Sequence, residues 1–217
     1  MVAEIDPVRA DATRSALGKT SRVAVTDVRD SAAVDALLHE VASSYGRLDV
    51  LVNNVGDFLG IVKPLEEYAD ADFDALFAVN LRQVFQVTRS SLPLMKQTGS
   101  GGSVISVSSI EAFRGIPMNV VYSAFKAGIT GFTKSLALEL GPSGIRVNAI
   151  APETTESEQV KPSAWIPEQY QEHIARWIPL GRFGTPADAA GCALFLASEL
   201  AGWVTGTTIH LDGGALA

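Results

Sequence analysis

The chain has 217 residues, of which 47% are hydrophobic and 19% charged, enough for one domain with a sizeable core and too few for two full ones. Its formal net charge of −7 repels phosphate backbones and anionic lipid, which argues against nucleic acid and membrane surfaces as partners. With one cysteine, no secretory leader in the first residues and no apolar run of about 18 residues, we expect a soluble, reduced, cytoplasmic protein.

Short β-branched runs alternate along the chain with longer segments of helical period, which is the pattern of βαβ units. Several of these runs are apolar throughout, as is typical of strands buried on both faces of a parallel sheet. The predicted strands are Val2–Ile5, Arg22–Thr26, Leu48–Asn53, Ser103–Val107, Ile145–Ile150 and Thr207–Leu211. We therefore expect one α/β domain over residues 1–217, a doubly wound, Rossmann-like parallel sheet with helices on both faces.

Capping residues mark the starts of several helices. Asp30 or Ser31 can cap the helix that follows the second strand, and Thr185 with Asp188 three residues later resembles a capping box. The segment 72–95 places its apolar side chains on one stripe, which predicts a long helix packed on the sheet. The stripe comprises Phe73, Leu76, Phe77, Leu81, Val84, Phe85, Leu92 and Met95.

Residues 151–179 have little periodicity and several prolines. A loop of this length inside a compact domain is usually functional, and we interpret it as a lid. Its apolar side chains either line a substrate pocket or pack in the core. They are Trp165, Ile166, Tyr170, Ile174 and Trp177. Glu111 and Phe113 follow the fourth strand, and we expect them to line the same apolar pocket, with Glu111 as its one acidic group.

Tyr122 and Lys126 lie four residues apart at the start of a predicted helix, so both project from one face. An ammonium group near a phenol favours the phenolate and lowers its pKa, which suits Tyr122 to acid/base chemistry. The alternative is an ordinary surface pair. Ser109 favours the catalytic interpretation, because it follows the strand Ser103–Val107 at the edge where open α/β sheets bind ligands. Ser106 and Ser108 are nearby alternatives that we expect to bond locally.

Asn80 falls on the apolar stripe of the helix predicted over residues 72–95. A buried amide requires hydrogen-bond partners, so Asn80 is either part of a site or a core residue that kinks its helix.

Taken in chain order, these residues resemble the short-chain dehydrogenase/reductase family. The matching motifs are Asp27-Val28, Asn53-Asn54-Val55-Gly56, Asn80, Ser109, Tyr122-Ser123-Ala124-Phe125-Lys126 and Leu211-Asp212-Gly213-Gly214. The resemblance implies hydride transfer between a nicotinamide cofactor and a secondary alcohol or ketone. It also implies a homotetramer, with the helices of Asn80 and Tyr122 at one interface and the last strand at another.

The resemblance assigns four catalytic roles. Tyr122 would be the general acid/base, and Lys126 would lower its pKa and bind the nicotinamide ribose. Ser109 would polarise the substrate oxygen. Asn80 would hold a water molecule that relays protons to Lys126. No residue is assigned to a metal.

The resemblance also assigns cofactor contacts. Glu4, with Asp6 as second choice, would accept hydrogen bonds from the adenosine ribose, and a carboxylate there favours NAD over NADP. The other assigned residues are Asp27 and Val28 near adenine, Asn53 and Gly56 along the adenosine side, Pro152, Thr155 and Ser157 near the carboxamide and phosphates, and Tyr122 and Lys126. Two of these assignments have structural alternatives, a helix-capping acid for Asp27 and a turn of the chain for Asn53-Asn54.

The sequence departs from the family pattern at two places. The first strand and Gly-rich turn, about 30 residues, are missing, which should leave two parallel strand edges unpaired unless the sheet closes or the chain is an incomplete form of a longer protein. Glu153 stands where the family has Gly, which adds bulk and charge beside the nicotinamide, and Ser157 replaces its usual Thr. The rival hypothesis is therefore a cofactor-incompetent remnant with a structural or oligomerisation role. A nucleotide-sensing regulator would need neither Tyr122 nor Lys126.

Overall fold

The computed structural model describes residues 1–97, 99–157, 160 and 174–217, in which parallel strands alternate with helices. The strands are β1 (Val2–Glu4), β2 (Val23–Val25), β3 (Val50–Asn53), β4 (Gly102–Val107), β5 (Ile145–Pro152) and β6 (Thr208–Leu211). The helices are α1 (Pro7–Ala16), α2 (Ser31–Tyr45), α3 (Asp70–Phe77), α4 (Gln83–Gln97), α5 (Val120–Leu140), α6 (Ile174–Trp177) and α7 (Pro186–Ala197). Every predicted strand forms, with its ends within two residues of the prediction.

The strands form two parallel sheets, one of order β1-β2 and one of order β3-β4-β5-β6. Among the described residues no hydrogen-bonded pairing joins β1 to β3, so the two sheets do not close into one ladder. Val52 on β3 is accordingly 45% exposed, although it belongs to an apolar strand. A hydrophobic cluster of Val28, Val34 and Val87 packs against Ala3 and Leu51, one from each sheet. Side-chain packing, rather than a continuous ladder, therefore connects the two sheets.

Helices cover both faces of the four-stranded sheet. On one face Val104 packs with Leu136 and Leu140 of α5, and on the other Ile105 packs with Leu196 of α7. Successive residues of a strand point to opposite faces of the sheet, so Val104 and Ile105 pack into the hydrophobic clusters on its two faces. The α/β, Rossmann-like class predicted from the sequence is confirmed.

The segment 72–95 is not one regular α-helix as predicted. A π-helical turn, Ala78–Arg82, separates α3 from α4. The side-chain amides of Asn80 and Gln83 donate to the carbonyls of Leu76 and Val79, four residues earlier, and so compete with the backbone for α-helical acceptors. Two members of the predicted stripe, Phe73 and Phe85, are 47% and 50% exposed and do not belong to the core.

The predicted helix starts are confirmed. Asp30, not Ser31, caps α2, since its carboxylate accepts from the Ala32 N–H at 2.9 Å. Thr185 and Asp188 form the predicted capping box at the start of α7. No helix within the described ranges combines the length and apolar character needed to cross a bilayer.

Candidate active site

The candidate site lies where β4 ends and α5 begins. The Ser108 hydroxyl donates to the Lys126 carbonyl at 2.8 Å, which ties the residues after β4 to α5. The Ser106 hydroxyl accepts from the Asn53 amide at 3.3 Å inside the sheet. The prediction that both serines bond locally is wrong, because their partners lie 18 and 53 residues away along the chain. Both hydroxyls are nevertheless engaged inside the protein, and Ser109 is the serine that acts on Tyr122.

Ser109 and Tyr122 face each other through their side chains, close enough that the Ser109 hydroxyl lowers the pKa of Tyr122. The Ser109 Oγ also accepts the backbone N–H of Glu111 at 3.2 Å, as the N-cap of the short 3-10 helix Ile110–Ala112. Because that N–H occupies a lone pair of Oγ, the hydroxyl proton of Ser109 remains available for donation. The structure thus brings together two of the predicted catalytic residues.

The Tyr122 hydroxyl does not carry the lowered pKa that its spacing from Lys126 predicts. Burial raises the pKa of Tyr122 well above its usual range, and the charges of Glu111 and Asp57 raise it further, while the hydrogen bond from Ser109 lowers it. Removing a phenolate from water is the larger effect here. Tyr122 therefore holds its proton at neutral pH.

Lys126 is 2% exposed and lies beneath the Tyr122 ring, with Nζ 5.5 Å from the ring centroid. Its Nζ donates to the Val107 carbonyl at 3.1 Å, at the end of β4. Burial lowers the pKa of Lys126 to about 8, although the charges of Glu111 and Asp57 act in the opposite direction. The ammonium is thus close to its titration midpoint under physiological conditions.

Asn80 is fully buried and fixes the loop that follows β3. Its Nδ2 donates to the Asp57 and Leu76 carbonyls at 2.7 and 3.0 Å, and its Oδ1 accepts from the Asp57 N–H at 3.1 Å. A Cβ atom placed on Gly56, in the same loop, would lie 2.6 Å from the Lys126 Nζ. Asn80, Gly56 and Lys126 therefore converge, and the water relay assigned to Asn80 stays a prediction.

Glu4 lies at the end of β1, where the sequence predicts an acid for the cofactor ribose. Its Oε1 accepts from Arg9 Nη2 at 2.8 Å and from the Asp6 N–H at 2.9 Å. Asp6 itself caps α1 by accepting from Val8 and Arg9, so its carboxylate is already engaged. Sequence reasoning missed Arg9, because a partner five residues away across a strand end leaves no periodic signal.

Three other residues assigned to the cofactor have partners within the protein. Asp27 forms an ion pair with Arg29 at 2.8 Å and caps no helix. Val28 belongs to the cluster that joins the two sheets. The Asn53 Nδ2 donates to the Thr88 hydroxyl at 2.9 Å and to Ser106, so this amide links β3 to its neighbours rather than facing outward.

Glu153, the departure from the family's Gly, is paired. Its Oε2 lies 2.8 Å from Arg114 Nη2, and its Oε1 accepts from the Thr154 N–H at 2.8 Å. The sequence predicted an added charge at this position, but Arg114 compensates it. Arg114 was missed because nothing in the sequence places the residues after β4 opposite those after β5.

The segment after β5 carries the remaining assigned residues. Pro152 ends β5, the Thr155 hydroxyl donates to the Glu153 carbonyl at 3.0 Å, and Ser157 accepts from the Val160 N–H at 3.0 Å. The lid residues Trp165, Ile166 and Tyr170 lie outside the described residues. Ile174 begins α6, and Trp177 at its end is 55% exposed.

Comparisons with known proteins identify the family. A family model described as enoyl-(acyl carrier protein) reductase matches residues 2–215. The 3-oxoacyl-[acyl-carrier-protein] reductase of Thermotoga maritima is 42% identical over 193 residues, covering 88% of this chain and 75% of that protein. A crystal structure described as a short-chain alcohol dehydrogenase, from Sinorhizobium meliloti 1021, superposes with a TM-score of 0.89 at 33% identity, covering 99% of this chain and 85% of that one. This chain belongs to the short-chain dehydrogenase/reductase family.

Membership of the short-chain dehydrogenase/reductases makes the chain an oxidoreductase of small molecules that uses a nicotinamide cofactor, NAD or NADP, in a family whose members commonly oligomerise. A 3alpha-hydroxysteroid dehydrogenase of Mediterraneibacter gnavus is 38% identical over 188 residues, covering 87% of this chain and 73% of that protein. Similar relatives thus differ in the substrates that their names give.

Proposed function

We propose that this chain transfers hydride between NAD and a secondary alcohol or ketone, with Tyr122 as the general acid/base. The observation that carries the proposal is the buried ammonium of Lys126 beneath the Tyr122 ring, with the Ser109 hydroxyl close enough to Tyr122 to lower its pKa. A proton donor, a polarising hydroxyl and a cation at the carboxyl edge of a parallel sheet are the groups that carbonyl reduction requires.

Tyr122 supplies the proton in the direction of reduction. Because burial keeps its pKa high, the phenol is protonated at neutral pH and donates to the substrate oxygen as negative charge develops there. Ser109, whose Oγ accepts the Glu111 N–H, directs its own proton to the same oxygen. In the direction of oxidation the deprotonated form of Tyr122 would accept the alcohol proton, while Ser109 keeps its hydrogen bond to the same oxygen.

Lys126 would hold the nicotinamide half of the cofactor, which would supply or accept the hydride. Gly56 lets the ammonium approach the loop after β3, since a Cβ there would lie 2.6 Å from Nζ. One N–H of the ammonium donates a hydrogen bond to the Val107 carbonyl. The other two N–H groups are left to bind the ribose hydroxyls and to pass protons to solvent beside Asn80. Lys126 thus orients the ribose and replenishes the proton of Tyr122.

The adenosine half would bind along the ends of β1, β2 and β3. Glu4 is the proposed acceptor for the ribose hydroxyls, and its carboxylate disfavours the 2′-phosphate of NADP. The remaining proposed contacts are Asp27, Val28, Asn53, Pro152, Thr155 and Ser157. All of these side chains except that of Pro152 have partners within the protein, so we assign their contacts with the cofactor chiefly to the backbone.

A homotetramer in the cytoplasm is the proposed assembly, with residues 1–217 acting as one domain. Leu138 on α5 and Leu200 beside α7 are each 83% exposed, and Trp203 is fully exposed. Apolar side chains as exposed as these favour contact with another subunit.

A second candidate function is that of a remnant that keeps the fold and a subunit interface without using the cofactor. The absence of a ladder between β1 and β3 among the described residues favours it, because the adenosine half would bind across the ends of both strands. Tyr122, Ser109 and Lys126 favour the enzyme, since a structural protein has no need of a buried ammonium beside a half-buried phenol.

The deciding experiment follows NADH oxidation by the purified chain with a panel of ketones that includes a 3-oxoacyl thioester and a 3-oxosteroid. Turnover that falls by about 10²-fold or more in Tyr122→Phe supports the proposal, because only the acid/base hydroxyl is removed. Tyr45→Phe is the matched control, since the Tyr45 hydroxyl contacts only the exposed Thr20 carbonyl at 3.3 Å. Turnover in Tyr122→Phe equal to that in Tyr45→Phe would remove Tyr122 from the mechanism, and NADH binding without turnover of any ketone would favour the remnant.

A further inference from the structure

Glu111 contacts both elements that carry the hydroxyls of the site. It lies in the 3-10 helix Ile110–Ala112, directly after Ser109, and its N–H donates to the Ser109 Oγ at 3.2 Å. Its Oε2 accepts from Asn119 Nδ2 at 2.8 Å and from the Ser123 hydroxyl at 3.0 Å. One residue thus bonds to the loop after β4 and to the start of α5.

The two side-chain contacts of Glu111 bracket Tyr122. Asn119 precedes α5 and Ser123 follows Tyr122, so the carboxylate holds the first turn from both sides. The N–H groups of a first helical turn have no partners within the helix, and a negative charge near them is favourable. Asn119, at the N-cap position, makes no side-chain capping bond. The Glu111 carboxylate therefore brings a negative charge to the helix start and bonds to it through the Asn119 and Ser123 side chains.

We propose that Glu111 is a positioning residue, which sets the distance and angle between the Ser109 and Tyr122 hydroxyls by bonding to both of their elements. This inference rests on the proposed function, in which the two hydroxyls act on one substrate oxygen. A displacement of about 1 Å in such a pair can cost about 10²-fold in rate. Glu111 itself donates no proton to the substrate.

The charge of Glu111 adds a second effect that a neutral side chain in its place does not have. Among the charged groups that act on Lys126, the carboxylates of Glu111 and Asp57 both raise its pKa against the effect of burial. Arg114 and Glu153 act on Glu111 itself, with opposite signs. Replacing Glu111 with Gln is therefore expected to lower the titration midpoint of Lys126 while keeping an acceptor for Asn119 and Ser123.

The experiment compares Glu111→Ala and Glu111→Gln in the whole chain with Glu139→Gln, a change of an exposed acid at the far end of α5. Glu111→Ala is expected to lower kcat at least 10-fold with KM for NADH within about threefold, because the hydroxyls move while the cofactor site is kept. Glu111→Gln is expected to recover most of kcat at neutral pH. Wild-type kcat in Glu111→Ala, or a loss of the same size in Glu111→Gln and Glu111→Ala, would overturn the proposal.

Two measurements are independent of activity. Hydrogen exchange of the amides 119–123 is expected to accelerate in Glu111→Ala and not in Glu139→Gln. In chains labelled with 13Cε-lysine, with Lys126→Met to assign the resonance, Glu111→Gln is expected to move the midpoint of Lys126 down by about one pH unit. If the wild-type chain turns over no ketone, the proposed function fails, but these two measurements still test the contacts of Glu111. Unchanged hydrogen exchange at 119–123 together with an unchanged Lys126 midpoint would overturn the positioning role of Glu111.

A variant that fails to fold does not end the test. Asn119→Ala and Ser123→Ala remove the partners of the carboxylate one at a time and leave Glu111 in place. Each is expected to reproduce part of the effect of Glu111→Ala on kcat and on exchange at 119–123, and combining the two is expected to reproduce most of it. Wild-type kcat and exchange in the combined variant would overturn the proposal.

Discussion

The Lys126 ammonium lies 5.5 Å from the centroid of the Tyr122 ring and donates to the Val107 carbonyl at 3.1 Å. The cation is therefore placed beneath the ring and anchored to the end of β4. A cation in this position makes a cation–π interaction with the ring. The pKa of the Tyr122 hydroxyl is instead raised by burial. The ammonium also packs against Gly56, where a Cβ would lie 2.6 Å from Nζ, and its ionisation near pH 8 gives the protein a measurable signature.

Lys126 makes the stability of the protein depend on pH. Its pKa falls from 10.5 in the unfolded chain to about 8 in the folded one, so between these values the unfolded state binds more protons. The free energy of unfolding should therefore increase as pH rises through this window, by about 2 kcal/mol between pH 7 and 9.5. Above pH 10 the raised pKa of Tyr122 acts in the opposite direction.

Urea unfolding of wild type at pH 7 and 9.5 measures this contribution. Lys126→Met should abolish the increase, whereas Lys134→Met, a change of an exposed lysine on the same helix, should retain it. An equal increase in the two variants would show that other groups cause it.

Gly56→Ala should weaken the binding of the cofactor. The new Cβ would lie 2.6 Å from Nζ and 3.1 Å from the Asn80 Oδ1, so the ammonium must move away from its position beside the ribose site. We expect the Kd for NADH, followed by fluorescence titration, to rise about 10-fold, equivalent to about 1.4 kcal/mol. Gly131→Ala is the control, because a Cβ on Gly131 meets no atom within 4 Å. Equal Kd values in the two variants would place the ribose elsewhere.

Glu4 and Arg9 should set the choice between NAD and NADP. Glu4→Gln removes the charge that repels a 2′-phosphate and leaves Arg9 free to bind it, so NADPH should gain about 10-fold in affinity relative to NADH. Arg9→Ala should shift the preference further toward NADH. The ratio of the two Kd values measures the effect, with Glu40→Gln, in a surface pair with Arg22, as the control. A ratio that neither Glu4→Gln nor Arg9→Ala alters would exclude β1 from cofactor selection.

A strand and Gly-rich turn placed ahead of residue 1 should raise NADH affinity by two or more decades. The added strand can pair with the free edges of β1 and β3, and the turn brings backbone N–H groups to the pyrophosphate. Fluorescence titration of the 217-residue chain and of the extended one measures the gain. An extension whose turn glycines are replaced by alanine should gain much less. Micromolar binding by the 217-residue chain, with no gain on extension, would mean that another element holds the pyrophosphate.

The sequence determined the strands and the members of the site, because both leave local signals. Apolar runs mark strands buried on both faces wherever they occur, and the pair Tyr122 and Lys126 needs only the helical repeat to share a face. Ser109 was found from its place after β4, since strand ends collect at one edge of a parallel sheet. These inferences depend on spacing, which the sequence contains.

Only the tertiary structure decided how the charges are distributed. Three contacts join loops and strand ends whose relative placement no periodicity in the sequence encodes. They are Arg9 with Glu4, Arg114 with Glu153, and Glu111 with Ser109 and Ser123. The pKa of Tyr122 shows the same limit. Spacing gives the distance to Lys126 along a helix, but burial, which depends on every element packed around the hydroxyl, determines that the phenol keeps its proton.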